Sequence, residues 1–185
     1  MDLETKRLVL RPWRESDATD LYEYAKDSRV GPVAGWPPHQ SVDESLDVIR
    51  TIFMQEGVYA MTLKGGDAAI GCIGIVRGAK SNFPLGEDEA EISYWLGVPF
   101  WGKGLMTEAV NEVVRHGFED MGLSTLWCGY FDGNDRSWHV QKKCGFRHHR
   151  TEPPKHFDLM DETLTEHISR LTREEWQGRQ GSQSL

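Results

Sequence analysis

The segment from Gly97 to Thr107 holds the residues whose types and spacing most directly suggest chemistry. A strand-like run, Ala90-Glu91-Ile92-Ser93-Tyr94-Trp95-Leu96, ends at Gly97-Val98-Pro99-Phe100-Trp101-Gly102-Lys103-Gly104, and an amphipathic helix begins at once with Leu105-Met106-Thr107. The free N–H groups of a helix N-terminus, at the positive end of its dipole, suit a pyrophosphate. Gly102 and Gly104 let the backbone approach phosphate oxygens with no Cβ in the way. Lys103 adds charge, although a loop that grips by its backbone leaves that side chain free to point outward. Gly97-x-x-x-x-Gly102-Lys103 also matches the first seven positions of a P-loop. The eighth position must be Ser or Thr to hold Mg²⁺ and is Gly104 here, which argues against an NTPase. A glycine turn with no ligand is the bland alternative, and the strand–turn–helix context argues against it.

A second candidate is Glu91, which shares a strand face with Ser93 and Trp95 and is flanked by apolar Ala90 and Ile92. A partly buried carboxylate of this kind can have a raised pKa and take a proton from an ammonium group. The competing reading is a structural carboxylate paired across the sheet. Asn134 and Ser137 open a short helix, where either could serve as a cap. Cys72, Cys128 and Cys144 fall at core positions of strands and a helix, so an acyl-cysteine intermediate is not expected. His148-His149 and Cys144 lack metal-ligand spacing, and no metal is expected. Lys142, Lys143, Arg147, His148, His149 and Arg150 form the one basic cluster.

The elements that must position these groups can be read from periodicity. Residues 7–13 read as a strand stopped by Pro12. Ser16 or Asp17 caps a helix carrying Leu21, Tyr22 and Ala25 on one face, and Ser41-Val42-Asp43-Glu44 is a capping box for a second helix that ends near Gly57. Residues 58–64 and 69–77 form a hairpin about Lys64-Gly65-Gly66-Asp67. Residues 78–88 are loop and 90–96 a strand. Helix 105–120 places Leu105, Ala109 and Val113 in one row and Met106, Val110, Val114 and Phe118 in the next. Residues 124–130 are a strand, 135–144 a helix closed by Gly145, and 146–151 and 163–171 strands around an irregular Pro153-Pro154 stretch. Residues 177–185 read as an unfolded tail behind a single domain, 1–176. The order is β-α-α-β-β-β-α-β-α-β-β, an α/β chain.

With this order in place, Trp101-Gly102-Lys103-Gly104-Leu105-Met106-Thr107-Glu108-Ala109 resembles the acetyl-CoA pyrophosphate loop of the GCN5-related N-acetyltransferases (GNAT), with Trp101 and Met106 departing from the general pattern. The Trp-Gly-Lys-Gly form resembles the ribosomal-protein N-acetyltransferase (RimJ/RimL-type) branch. So do Arg7-Leu8-Val9-Leu10-Arg11-Pro12 with Asp17, Ala90-Glu91-Ile92-x-Tyr94-Trp95-Leu96, Asn134-x-x-Ser137-x-x-Val140-x-x-Lys143-Cys144-Gly145-Phe146, and Leu171-Thr172-Arg173-Glu174-Glu175-Trp176. The matches run in order through roughly residues 5–176.

That resemblance implies a mixed, mostly antiparallel sheet of about seven strands flanked by four helices. It also implies an enzyme that moves the acetyl group of acetyl-CoA to a primary amine by direct attack in a ternary complex. The acceptor would be a protein N-terminal α-amine or a small-molecule amine. Glu91 would be the base, Ser137 the acid facing the CoA sulfur, and Tyr130 an alternative proton donor. Trp95, Leu96, Gly97, Trp101, Gly102, Lys103, Gly104, Leu105, Met106, Thr107, Asn134 and Ser137 would hold acetyl-CoA. A backbone N–H near Trp95–Gly97 would meet the oxyanion. Trp36, Glu91 and Ser93 would face the acceptor, with Asp158, Asp161 and Glu162 as attractors of a cationic amine. A non-catalytic acyl-CoA-binding or regulatory module of the same fold is the alternative.

Composition agrees with this and excludes other classes. The chain has 185 residues, a formal net charge of −8, 38% hydrophobic and 27% charged residues, three Cys and seven Trp. This is a globular, one-domain composition with an acidic balance that speaks against nucleic acid. No window is apolar enough for a membrane span and no secretory signal opens the chain, so a cytoplasmic protein is expected, with a homodimer left open. Trp95, Trp101, Trp127 and Trp138 are expected around one cleft.

Overall fold

The computed structural model describes residues 1–182. Its centre is an eight-stranded sheet in the order β1-β2-β3-β4-β5-β6-β10-β7. The strands are β1 (Leu3–Glu4), β2 (Leu8–Pro12), β3 (Val58–Leu63), β4 (Gly71–Val76), β5 (Glu89–Leu96), β6 (Thr125–Phe131), β7 (Arg147–Thr151) and β10 (Glu166–Thr172). Every neighbouring pair is antiparallel except β5 and β6. A separate hairpin joins β8 (Lys155–Phe157) to β9 (Glu162–Leu164). The helices are α1 (Ala18–Ala25), α2 (Val42–Val48), α3 (Leu105–Arg115), α4 (Asp135–Cys144) and α5 (Arg173–Ser182).

Alternation along the strands divides the core between two faces. On one, Ala90, Ile92 and Leu96 of β5 and Leu126 and Cys128 of β6 pack with Leu105, Met106, Ala109, Val110, Val113 and Val114 of α3. Both helical rows expected from the spacing are buried there, and a π-helical turn at His116–Asp120 adds Phe118. On the other face, Trp95 and Cys72 pack with Leu21 and Ala25 of α1, Trp13 and Ile49. Asp17 stands at the N-cap of α1, yet its carboxylate is spent on the buried guanidinium of Arg11, at 2.8 Å to each oxygen, and on the Arg14 N–H.

Two expectations at the C-terminal end are corrected. The run 163–171 is not one strand: Glu162–Leu164 turns away to pair with Lys155–Phe157, and only Glu166–Thr172 enters the main sheet. The expected tail from residue 177 is helical through Ser182, and residues 183–185 lie outside the described ones. The cause is a capping box, in which the Thr172 hydroxyl accepts from the Glu175 N–H at 3.3 Å and the Glu175 carboxylate accepts from the Thr172 N–H at 3.0 Å. Trp176 then packs on Phe118, with ring centroids 5.5 Å apart. Among the described residues the helices therefore number five rather than four, and the sheet gains the two-residue β1 as an eighth strand.

Candidate functional site

The parallel pair β5 and β6 is joined only through Glu89↔Thr125, Ala90↔Leu126 and Glu91↔Trp127. Past that point Ile92–Leu96 and Cys128–Phe131 no longer pair, and they line a cleft of about 970 Å³. One end reaches the N-terminus of α3. The other opens between the loops around Val33–Gly35, Asn82–Pro84 and Pro153–Lys155.

At the α3 end, Gly102 and Gly104 adopt φ of +72° and +75°, the left-handed region that disfavours a Cβ. Around Gly102 nothing lies within 4 Å of the place a Cβ would take, so the backbone is bare toward the cleft. Gly102, Gly104, Leu105, Met106 and Thr107 line it, faced by Arg136, His139, Val140 and Lys143 of α4. The Trp101 indole donates to the Leu96 carbonyl at 2.6 Å, and the Arg136 guanidinium lies 3.9 Å from the centre of its ring. Lys103 is not among the lining residues; its ammonium sits 5.7 Å from the Phe100 ring and its carbonyl accepts from Arg7 at 2.9 Å. Arg7 also bonds Glu108 through both its backbone N–H and its guanidinium, at 2.7 Å each. A strand-bend arginine thus braces the glycine turn from behind, a role the sequence reading did not assign to it.

In the middle, Asn134 caps α4 by accepting from the Ser137 N–H at 3.2 Å. The Ser137 hydroxyl is therefore not the cap. It lies 3.0 Å from the Tyr94 hydroxyl, which also donates to the Ser137 carbonyl at 3.1 Å. Burial holds the Tyr94 proton well above the usual phenol range. Tyr94 falls on the strand face of Ala90, Ile92 and Leu96, and a hydroxyl among those apolar side chains is the mark the sequence gives it. Tyr130 lines the cleft with its ring stacked between Trp138 and His167, at 5.5 and 4.9 Å, and burial, with Asp132 and Asp135 nearby, raises its pKa. The Gly97 N–H is spent on the Ile70 carbonyl at 2.9 Å, and by alternation along β5 the Trp95 N–H also faces β4, in register with Cys72, so the candidate oxyanion donor narrows to Leu96.

At the far end, Glu91 is 3% exposed. One carboxylate oxygen accepts from the Ser81 hydroxyl at 2.8 Å and the Asn82 N–H at 2.7 Å, and the other from the Asn82 amide at 2.8 Å. It ties down the loop before β5. Glu166 lines the same cleft and is different in kind. Burial first, then the charges of Glu91 and Glu152, push its carboxyl up to about 7. Among the described residues no hydrogen bond or ion pair engages its oxygens. Gly129 on β6 makes room for it, since a Cβ there would overlap Glu166 Oε1. Glu166 had no local signal in the sequence; two carboxylates from other segments, Glu91 and Glu152, converge on it.

Ser93 lines the cleft, as expected. Trp36 does not: it packs behind, on His39 at 5.2 Å and Trp95 at 6.1 Å, and its neighbours Val33, Ala34 and Gly35 take the lining position. Of the four tryptophans expected around the cleft, Trp95 and Trp101 line it, while Trp127 packs on Phe83 and His149 and Trp138 on Tyr130. Asp158 and Asp161 are fully exposed on the β8–β9 turn, and neither they nor Glu162 line the cleft; the carboxylates at its mouth are Glu91, Glu152 and Glu166. The basic cluster also divides. Lys143 faces the α3 end, Arg150 the far end, and Arg147 pairs with Glu175 at 3.4 Å. The three cysteines are buried and free, and burial raises all their pKa values, to about 12 for Cys72 and Cys144. Among the described residues no group of His, Cys, Asp and Glu could hold a metal ion, and no helix is long and apolar enough to cross a membrane.

Residues 7–147 match the family described as acetyltransferase (GNAT) domain. An N-acetyltransferase from Bacillus licheniformis, p20, is 32% identical over 129 residues, 67% of this chain and 70% of its own. A GNAT-family acetyltransferase structure from Bacillus anthracis superposes with a TM-score of 0.83 at 20% identity, over 94% of this chain and 99% of that one. The ribosomal-protein-S5-alanine acetyltransferase of Vibrio fischeri superposes with a TM-score of 0.72 at 19% identity, over 95% and 98%.

Proposed function

Since the chain belongs to the GNAT acetyltransferase family, we propose that it acetylates a primary amine, with Glu166 as the general base and Ser137 and Tyr94 serving the leaving group. The observation that carries this reading is Glu166 itself: a carboxyl pushed up to about 7 by burial and by Glu91 and Glu152, against the weaker pull of Lys155 and Arg150, with no hydrogen bond or ion pair on its oxygens among the described residues, in a cleft that runs on to a bare glycine cradle. A base is most effective when its pKa lies near the working pH. Glu91, with three donors on its carboxylate, is the anchor of the 78–88 loop and adds the negative charge that raises Glu166.

Acetyl-CoA supplies a thioester carbonyl and a thiol leaving group. The backbone of Gly102–Gly104 and the first turn of α3 hold its pyrophosphate, with Arg136 and Lys143 across the cleft, and Asn134 stands beside its arm. The N–H groups of β5 that face the splayed edge, those of Tyr94 and Leu96, pair with the pantetheine amides and the oxyanion. Glu91, Glu152 and Glu166 draw a cationic amine into the far end. Glu166 first takes a proton from the ammonium and passes it to solvent. The neutral nitrogen attacks the carbonyl carbon, and Glu166 takes the proton it sheds as the C–N bond forms. As the C–S bond breaks, the sulfur leaves with the electron pair and takes the Ser137 hydroxyl proton, which Ser137 regains from the Tyr94 hydroxyl 3.0 Å away and Tyr94 from solvent in the cleft. The products are an amide and free thiol. Both substrates are held at once, and the buried, protonated cysteines take no acyl group. Free buried thiols fit a reducing compartment such as the cytoplasm.

The test is release of free thiol from acetyl-CoA across an amine panel that includes peptides with N-terminal Ser or Ala, polyamines and amino acids. Release with at least one amine is expected. Acetyl-CoA binding with no thiol release on any amine would overturn the reading in favour of a non-catalytic acyl-CoA-binding module.

A further inference from the structure

Behind Ser137 lies a polar chain that the reaction as written does not use. Gln141 is one helical turn along α4 and 0% exposed, and Ser169 of β10 is 0% exposed. A glutamine buried to this degree is costly unless every one of its hydrogen-bonding groups is met. The Gln141 amide nitrogen donates to the Gly129 carbonyl and to the Ser137 hydroxyl, each at 3.1 Å. Its carbonyl oxygen accepts from the Ser169 hydroxyl at 2.6 Å, the shorter of two contacts that share that single hydrogen, the other being the Cys128 carbonyl at 3.1 Å.

The direction of these bonds is forced by chemistry. The Gly129 carbonyl can only accept, so the nitrogen of the amide must face it; its second hydrogen goes to the Ser137 hydroxyl at 3.1 Å, with the Tyr94 oxygen beside it as a further acceptor. Ser137 therefore accepts from Gln141, and its own hydrogen is left to point elsewhere. The Tyr94 hydroxyl is the remaining neighbour, and it has the Ser137 carbonyl as an acceptor for its single hydrogen. The Ser137 hydrogen is thus directed to the Tyr94 oxygen or into the cleft, and away from Gln141.

We propose that Gln141 is a positioning residue that fixes the Ser137 hydroxyl as a donor toward the departing sulfur, with Ser169 locking the amide that does so. The inference rests on the reading of Ser137 given above. It predicts a defect in kcat with little change in KM for acetyl-CoA, because Gln141 is not among the residues lining the cleft.

The experiment is a double-mutant cycle of Ser137→Ala and Gln141→Met, read as kcat and KM for acetyl-CoA on the best amine of the panel. Ser137→Ala in the parent should lower kcat about tenfold or more, the low end of general-acid effects. Gln141→Met should lower it about fivefold with KM within twofold, and in that background Ser137→Ala should cost less than about threefold more, since the serine is already misdirected. Ser169→Ala keeps the amide and removes only its lock, and should give a smaller loss of kcat at unchanged KM; it decides the matter if Gln141→Met does not fold. Equal Ser137→Ala factors in both backgrounds would overturn the proposal, as would an unaltered kcat in Gln141→Met or, if that variant does not fold, in Ser169→Ala. An unaltered kcat for Ser137→Ala in the parent would instead overturn the role of Ser137, and this proposal with it.

Discussion

The two ends of the cleft are built by different means. The α3 end is local. A strand, a glycine turn and a helix follow one another from Glu89 to Arg115, and the binding surface is backbone. The far end is assembled from residues that are distant in the chain. Glu91 comes from β5, the notch at Gly129 from β6, Glu152 from the segment after β7 and Glu166 from β10. A backbone cradle depends on φ angles and tolerates many side chains around it. A tuned carboxyl depends on which side chains converge, and one change in space or charge retunes it.

The sharpest way to break the comparison is at Glu166. Glu166→Gln should lower kcat on the order of 10²-fold, the scale of a lost general base, and leave KM for acetyl-CoA within about twofold. The pH profile gives the sign. The carboxylate is the base, so parent activity should rise with pH and level off above about 7, and the variant should lose that limb. Stability gives a second sign. A carboxyl raised from 4.5 to about 7 binds its proton more tightly in the folded chain, so stability should fall as pH rises across that interval. Thermal melts of Glu166→Gln should lack that slope. A variant with the parent's activity profile and melting profile would sink the assignment.

Gly129→Ala and Gly102→Ala sharpen the contrast, because the same added methyl group acts by different physics. At Gly129 the φ is unremarkable and the Cβ meets Glu166 Oε1, so the carboxyl must move. Overpacking of this kind costs roughly 1–3 kcal/mol, and kcat should fall about tenfold with the pH midpoint displaced. At Gly102 the space is empty and the cost is the φ of +72°, roughly 1–2 kcal/mol in the left-handed region. The variant should raise KM for acetyl-CoA about fivefold and leave kcat and the pH midpoint in place. Initial-rate kinetics of the two variants should therefore separate on different parameters; both changing KM alone would show that the two ends are not distinct.

The same contrast explains what could be read from the sequence. The glycine turn, the buried rows of α3 and the Asn134 cap were legible because each is written in contiguous residues whose spacing has one physical meaning. The loop residue at the acceptor mouth was misplaced by a few positions: Trp36 was chosen as the large aromatic, and packing on Trp95 and His39 withdrew it from the cleft. Helix α5 had a legible start in Thr172-x-x-Glu175, which the Gly- and Gln-rich composition behind it obscured. Glu166, Tyr94 and Gln141 carried no comparable mark. Their chemistry arises from partners 37, 43 and 28 residues away. Periodicity along one element does not report contacts of that kind.

Arg7 is the place where even the local end depends on a distant residue, and it carries the smallest expected effect. Its guanidinium donates to the Lys103 carbonyl and pairs with Glu108, so it holds the outer side of the turn between Gly102 and Gly104. The side chain is 43% exposed, and exposed ion pairs contribute only about 0.2–1 kcal/mol. Arg7→Ala should therefore raise KM for acetyl-CoA about two- to fivefold, through a looser turn, with kcat unchanged. The Glu108 carboxylate loses one of its three donors, because the Arg7 backbone N–H and the Thr5 hydroxyl remain. Arg7→Lys keeps the charge but cannot span both Lys103 and Glu108 in the same fork, so it should recover less than half of the loss. Full recovery by lysine would mean that Arg7 acts as a general positive charge near the pyrophosphate, and that the glycine turn needs no brace from the bend before β2.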